Sequence, residues 1–143
     1  MADVQTKTLT LTAVTGAVTL RDTHFSTAGM RDMVFSVEVS ASASTSSDTL
    51  IVTVQGSNSD EGNFSTSNDN YWETLITFST LLGNGTVPSI VHRDILNILS
   101  TASSNSIRPY PKWLRFKYVT VDASASGSWT AKIRAAWNTA VLS

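Results

Sequence analysis

Apolar residues in this chain return at every second position, segment after segment. Leu9 and Leu11 alternate with Thr8, Thr10 and Thr12, and Met33, Phe35, Val37 and Val39 alternate with Asp32, Val34, Ser36, Glu38 and Ser40. Trp72, Thr74, Ile76 and Phe78 alternate with Glu73, Leu75 and Thr77. Near the C-terminus, Leu114, Phe116 and Tyr118 alternate with Arg115 and Lys117, and Trp129, Ala131, Ile133, Ala135 and Trp137 alternate with Thr130, Lys132 and Arg134. Successive side chains of an extended backbone point to opposite faces, so each segment offers one face to a core and the other to water. Residues 49–54 are apolar and β-branched almost throughout, as in a strand covered on both faces. Six or seven such strands, separated by Ser-, Gly- and Asn-rich turns, predict an all-β fold, an antiparallel sandwich or barrel. At 143 residues, the chain reads as a single β-sandwich domain over 1–143. One segment departs from period two. After Pro88, the residues Val91, Ile95, Ile98 and Ala102 fall at helical spacing behind Ser89 as an N-cap, which predicts a short helix over residues 90–99.

Composition narrows the setting. Charged residues make up 15% of the chain, against about 25% in ordinary soluble domains, while 21 Ser and 20 Thr supply hydroxyls in their place. The net charge of −1 advertises neither nucleic acid nor an anionic membrane. No apolar run approaches the roughly 18 residues of a spanning helix. Cysteine is absent, which excludes disulfides, thiolate chemistry and Cys-bound zinc and suits a reducing compartment. Residues 1–7 lack the basic-then-apolar pattern of a secretory signal. The expectation is a soluble protein made in the cytoplasm, with no nucleic-acid or membrane partner.

No set of residues nominates a reaction. His24 and His92 are in no metal-ligand spacing and read as structural or surface residues. The sequence has no Gly-x-Ser-x-Gly elbow and no Gly-rich phosphate loop, so no catalytic residue, no enzyme activity and no cofactor is expected. Asp60, Glu61 and Asp69, with Asn58, Asn63, Asn68 and Asn70 near them, offer oxygen ligands of the kind calcium takes. Their spacing lacks the EF-hand pattern, so a solvated turn is the favoured reading and no metal is assigned. Residues 40–48 and 55–70 read as surface loops.

The C-terminal segments suggest a hairpin. If Val121 pairs with Ser128, then Phe116 faces Ile133 on the inner side, Tyr118 faces Ala131 and Leu114 faces Ala135. The same register sets Lys117 opposite Lys132 and Arg115 opposite Arg134, a stripe of four cations with Trp113 at its end. Like charges directly opposite each other cost up to about 1 kcal/mol per pair, so the stripe asks for compensation. Asp32, Glu38 or Glu73 on neighbouring strands could supply it. Alternatively, Trp113, Arg115, Lys117, Lys132 and Arg134 form a partner-binding surface for an acidic protein face, since Arg and Trp are favoured interface anchors.

The run Trp113-Leu114-Arg115-Phe116-Lys117-Tyr118-Val119-Thr120-Val121, followed by a small-residue turn through Gly127 and by Thr130-Ala131, is similar to a pattern of capsid cement (decoration) proteins of tailed bacteriophages. Gln55-Gly56-Ser57-Asn58 followed by Tyr71-Trp72-Glu73-Thr74-Leu75 also resembles the strand-loop-strand of phage and carbohydrate-binding sandwiches. The chain departs from the cement pattern in its Ser/Asn insertion, residues 56–70, and in the helix expected around Ile95. The resemblance implies a jelly-roll-type sandwich, a homo-oligomer that binds the major capsid protein on the virion surface and clamps neighbouring coat subunits. A carbohydrate-binding module is the second reading, with Tyr71, Trp72 or Tyr110 stacking on sugar faces.

Overall fold

A computed structural model describes residues 4–65, 69–94, 111–121 and 127–139. The period-two segments form strands: β1 (Val4–Val14), β2 (Thr19–Arg21), β3 (Phe25–Ser26), β4 (Met30–Ala41), β5 (Thr49–Ser57), β6 (Glu73–Thr77), β7 (Leu81–Leu82), β8 (Ser89–Asp94), β9 (Trp113–Val121) and β10 (Trp129–Thr139). They make two antiparallel sheets. Sheet I has the order β1-β10-β4-β8, and sheet II the order β2-β9-β5-β6, with the two-residue strands β3 and β7 pairing β9 and β5.

The pairing follows one rule along the chain. With the short β3 and β7 set aside, the first strand pairs the last (β1 with β10), the second the next to last (β2 with β9), then β4 pairs β8 and β5 pairs β6. A long folded ribbon of this kind rolls up when β10 also pairs β4 and β9 also pairs β5. The result is an all-β sandwich of jelly-roll type.

Alternation sets what lies between the sheets. Leu11, Met33, Phe35, Val37, Ala131, Ile133 and Ala135 point inward from sheet I, and Leu50, Val52, Val54, Ile76, Leu114 and Phe116 from sheet II, all essentially without solvent contact. Phe35 and Phe116 meet edge to face across the core, with centroids 6.3 Å apart and planes at 86°. That geometry suits the ring quadrupoles and contributes about 1 kcal/mol beyond area burial.

Three expectations change. Residues 89–94 are strand β8, paired with β4 from Val39↔Ser89 to Val34↔Asp94, so the helix expected over 90–99 is absent from its described part; residues 95–99 lie outside the described residues. An i, i+4 spacing of Val91 and Ile95 also satisfies period two, and the free edge of β4 decides in favour of the strand. Residues 55–57, expected in a loop, extend β5 opposite Trp113, Leu114 and Arg115. Finally, β9 and β10 are not a hairpin, because they belong to different sheets. Phe116 and Leu114 belong to one layer of the core and Ile133 and Ala135 to the other, so they are not cross-strand neighbours. The crossing ends at Gly127, where φ is +87° and an added Cβ would lie 2.7 Å from the Ser44 amide nitrogen. Only glycine fits so close an approach in that conformation.

Candidate functional site

The two outer faces of the sandwich are built alike in sequence and finished differently. On sheet II, Arg115 and Lys117 of β9 point outward, and Arg21 of β2 lies opposite Lys117. The connection from β5 to β6 passes over this face and places Asp69 among them. Arg21 donates to Asp69 from Nε and Nη2 at 2.8 and 3.2 Å, Arg115 from Nη2 at 2.6 Å, and Lys117 from Nζ at 2.7 Å. Arg115 Nε donates to Gln55 Oε1 at 2.8 Å, and its guanidinium lies 4.3 Å from the centre of the Trp72 ring. The Arg115 side chain is only 3% exposed. Hydrogen bonds from Arg21 and then Lys117 outweigh burial and hold the Asp69 carboxyl well below the usual carboxylate range. The bond to Asp69 raises Arg21, whereas burial is the larger influence on Arg115 and lowers it against the pull of Asp69.

A second fastening lies next to the first. A 3-10 turn at Glu61–Asn63 brings Glu61 Oε1 to 2.7 Å from His24 Nε2. The His24 ring packs edge-on against Phe64 and Trp113, at 4.9 and 5.1 Å between centroids. A cleft of about 180 Å³ beside it is lined by Asp22, Thr23, His24, Glu61, Phe64 and Trp72. Of the acidic residues that could offer calcium ligands, Asp69 is committed to three cations and Glu61 to His24. Among the described residues no three His, Asp or Glu converge as metal ligands.

Sheet I is open. Its outward rows, read across the strands, are Thr8, Arg134, Ser36 and His92, then Thr10, Lys132, Glu38 and Ile90. Thr6, Thr8, Thr10, Lys132 and His92 are exposed, and so are the apolar Val34 and Ile90, at 38% and 51%. Arg134 Nε donates weakly to Thr8 Oγ1 at 3.3 Å. A shallow depression of about 290 Å³ at the β8 side is lined by Glu38, Pro88, Ser89 and Ile90. The face is rich in hydroxyls and carries charges of both signs.

The expected stripe of cations is thus divided. Trp113, Arg115 and Lys117 lie on the outer face of sheet II, and Lys132 and Arg134 on that of sheet I, with the whole core between them. Of the three carboxylates considered as neutralisers, Glu38 lies directly opposite Lys132. The counter-charge for Arg115 and Lys117 is Asp69, which sequence reasoning missed. Its only signal was indirect: two outward cations on one strand need a partner, and the adjoining segment is acidic. Trp72, a candidate sugar platform, is 9% exposed beneath Arg115, while Tyr71 is 49% exposed. Tyr110 lies outside the described residues. No protein-family model matches this sequence, and no curated protein matches it either.

Proposed function

We propose that this chain is a structural virion protein that binds the surface of a capsid and cements neighbouring coat subunits through the outer face of sheet I. The carrying observation is the contrast between the two faces: one is fastened down by its own chain, while the other, among the described residues, is left exposed and hydroxyl-rich. Such a face binds by buried area and matched polar groups and performs no chemistry. Lys132 and Arg134 remain partner contacts in this reading, opposite an acidic patch of the major capsid protein. Trp113, Arg115 and Lys117 are reassigned to holding the β5–β6 connection. Jelly-roll sandwiches serve in viral shells and in lectins, which supports the reading by analogy of fold. The sugar-binding reading comes second, because the Trp72 ring is occupied by Arg115 and Tyr71 is left as its exposed platform.

The test is co-sedimentation and light scattering of the chain with shells assembled from a candidate coat protein. The expected result is saturable binding, weakened about tenfold by Arg134→Glu, as for loss of one interfacial charge pair. A chain that ignores such shells, or that binds glycans in a manner abolished by Tyr71→Ala, overturns the proposal.

A further inference from the structure

Strand β1 is the terminal strand of sheet I and pairs β10 alone among the described strands. Its register with β10 is unbroken from Val4 to Leu11, a free edge about 27 Å long at 3.4 Å per residue. Long edges are normally blunted by outward charges, prolines or bulges. Here the bulge is confined to Leu11–Val14, where Ala13 has φ of +49°, and the pairing segment before it stays regular. The one charged residue of β1, Lys7, turns its ammonium away from the outer face and over the Phe25 ring at 5.7 Å. What the edge presents outward is Val4, Thr6, Thr8 and Thr10, all neutral, β-branched and exposed.

We propose that β1 pairs antiparallel with β1 of a second copy of this chain, about a two-fold axis at Thr8, joining two four-stranded sheets into one of eight. The register follows from overlap and charge: an axis at Thr6 would pair only residues 4–8, and an axis at Thr10 would run Thr8 into the bulge at Thr12. An axis at Lys7 would set two lysines opposite each other, and an axis at Leu9 would run Gln5 into the bulge at Ala13. The axis at Thr8 pairs Thr8 with Thr8, Thr6 with Thr10, Lys7 with Leu9 and Gln5 with Leu11. Thr–Thr pairs are favourable on a β surface, and no like charges meet. The nearest cations across the axis are the two copies of Lys7, diagonal neighbours on the inner face with backbones about 8 Å apart, each ammonium drawn over its own Phe25 ring at 5.7 Å. On the outer face the two copies of Arg134 are three strand spacings or about 14 Å apart, beyond the roughly 8 Å over which salt screens exposed charges. A two-fold pairing is closed, so it consumes the free edge without starting a fibre. At the other end of sheet I, β8 has six residues and carries His92, Arg93 and Asp94 in its sequence, which makes it the poorer edge for self-pairing. The inference is independent of the shell-binding reading, although a dimer would double the open face.

Two double variants read the register directly. Thr6→Lys with Thr10→Lys sets lysine against lysine twice in the dimer, whereas Thr6→Lys with Thr10→Glu sets lysine against glutamate twice. By sedimentation velocity the wild type is expected to dimerise at micromolar concentration. The dissociation constant should rise about tenfold in the first variant and stay equal or fall in the second. In the wild type, amide exchange over residues 4–11 should slow as concentration rises. A wild type that stays monomeric to several hundred micromolar, or two variants that respond alike, overturns the proposal.

Discussion

The outer faces of the two sheets carry the same kinds of residue, cations among hydroxyls, yet they do opposite things. On sheet II, Arg115 and Lys117 are drawn onto Asp69 with Arg21 and lie under a segment of the same chain. On sheet I, Lys132 and Arg134 stand among threonines and serines in contact with water. The difference teaches that alternation decides which way a side chain points, but the covering segment decides whether an outward charge holds the fold together or remains available to a partner. The buried group also carries an obligation that the exposed one does not. Removing one member of a desolvated cluster strands the others, whereas removing a surface cation leaves water to solvate its neighbours.

The contrast can be broken at either face. The largest effect is expected for Arg115→Glu, which places a carboxylate beside Asp69 and gives up the bonds to Gln55 and Asp69. A loss of about 4 kcal/mol in urea unfolding is expected, in the range for breaking a buried pair. A milder break is Asp69→Asn, which removes the carboxylate that Arg21, Arg115 and Lys117 share. The Asp69 side chain is about one-third exposed, so solvent screening reduces the expected cost to about 2 kcal/mol.

Acid should reproduce that second effect. Because the carboxyl of Asp69 is held below its ordinary value of 3.8, the folded state gains stability from its ionisation, and the gain is complete above about pH 5. It should fall away as pH drops through 4 and below. Thermal unfolding of the wild type against Asp69→Asn should show the difference between them shrinking over that interval and flat from pH 5 to 7. The smallest stability change is expected for Arg134→Glu, within about 0.5 kcal/mol, as for a surface substitution away from buried features. If Arg134→Glu destabilises as much as Arg115→Glu, the two faces are not different in kind.

Much of this architecture was legible in the alternation. Leu114, Phe116 and Tyr118, and likewise Ala131, Ile133 and Ala135, were read as inward, and each is buried. Period two fixes the facing of a side chain locally, but it says nothing about which strand lies alongside. Consecutive strands are usually neighbours, so a short connection from β9 to β10 reads as a hairpin. The rolled ribbon instead pairs β9 with β2 and β5, whose partners lie far away in the chain. The helical spacing after Pro88 misled for a related reason: Val91 is partly buried against the core as a strand residue, one position in two, while the edge of β4 stands ready to pair it. Asp69 was illegible because its role comes from a loop folding back over a sheet, a tertiary event with no periodic trace.

The most direct test compares two lysines on the two faces. Amine acylation followed by mass spectrometry, on the free chain and on the chain bound to coat shells, reports the reactivity of Lys117 and Lys132. Lys132 should react readily in the free chain while Lys117, held on Asp69 at 2.7 Å, reacts slowly, and shell binding should protect Lys132. Equal reactivity of the two in the free chain, or a Lys132 that stays fully reactive on the shell, would contradict the division of the sandwich into a fastened face and a binding face.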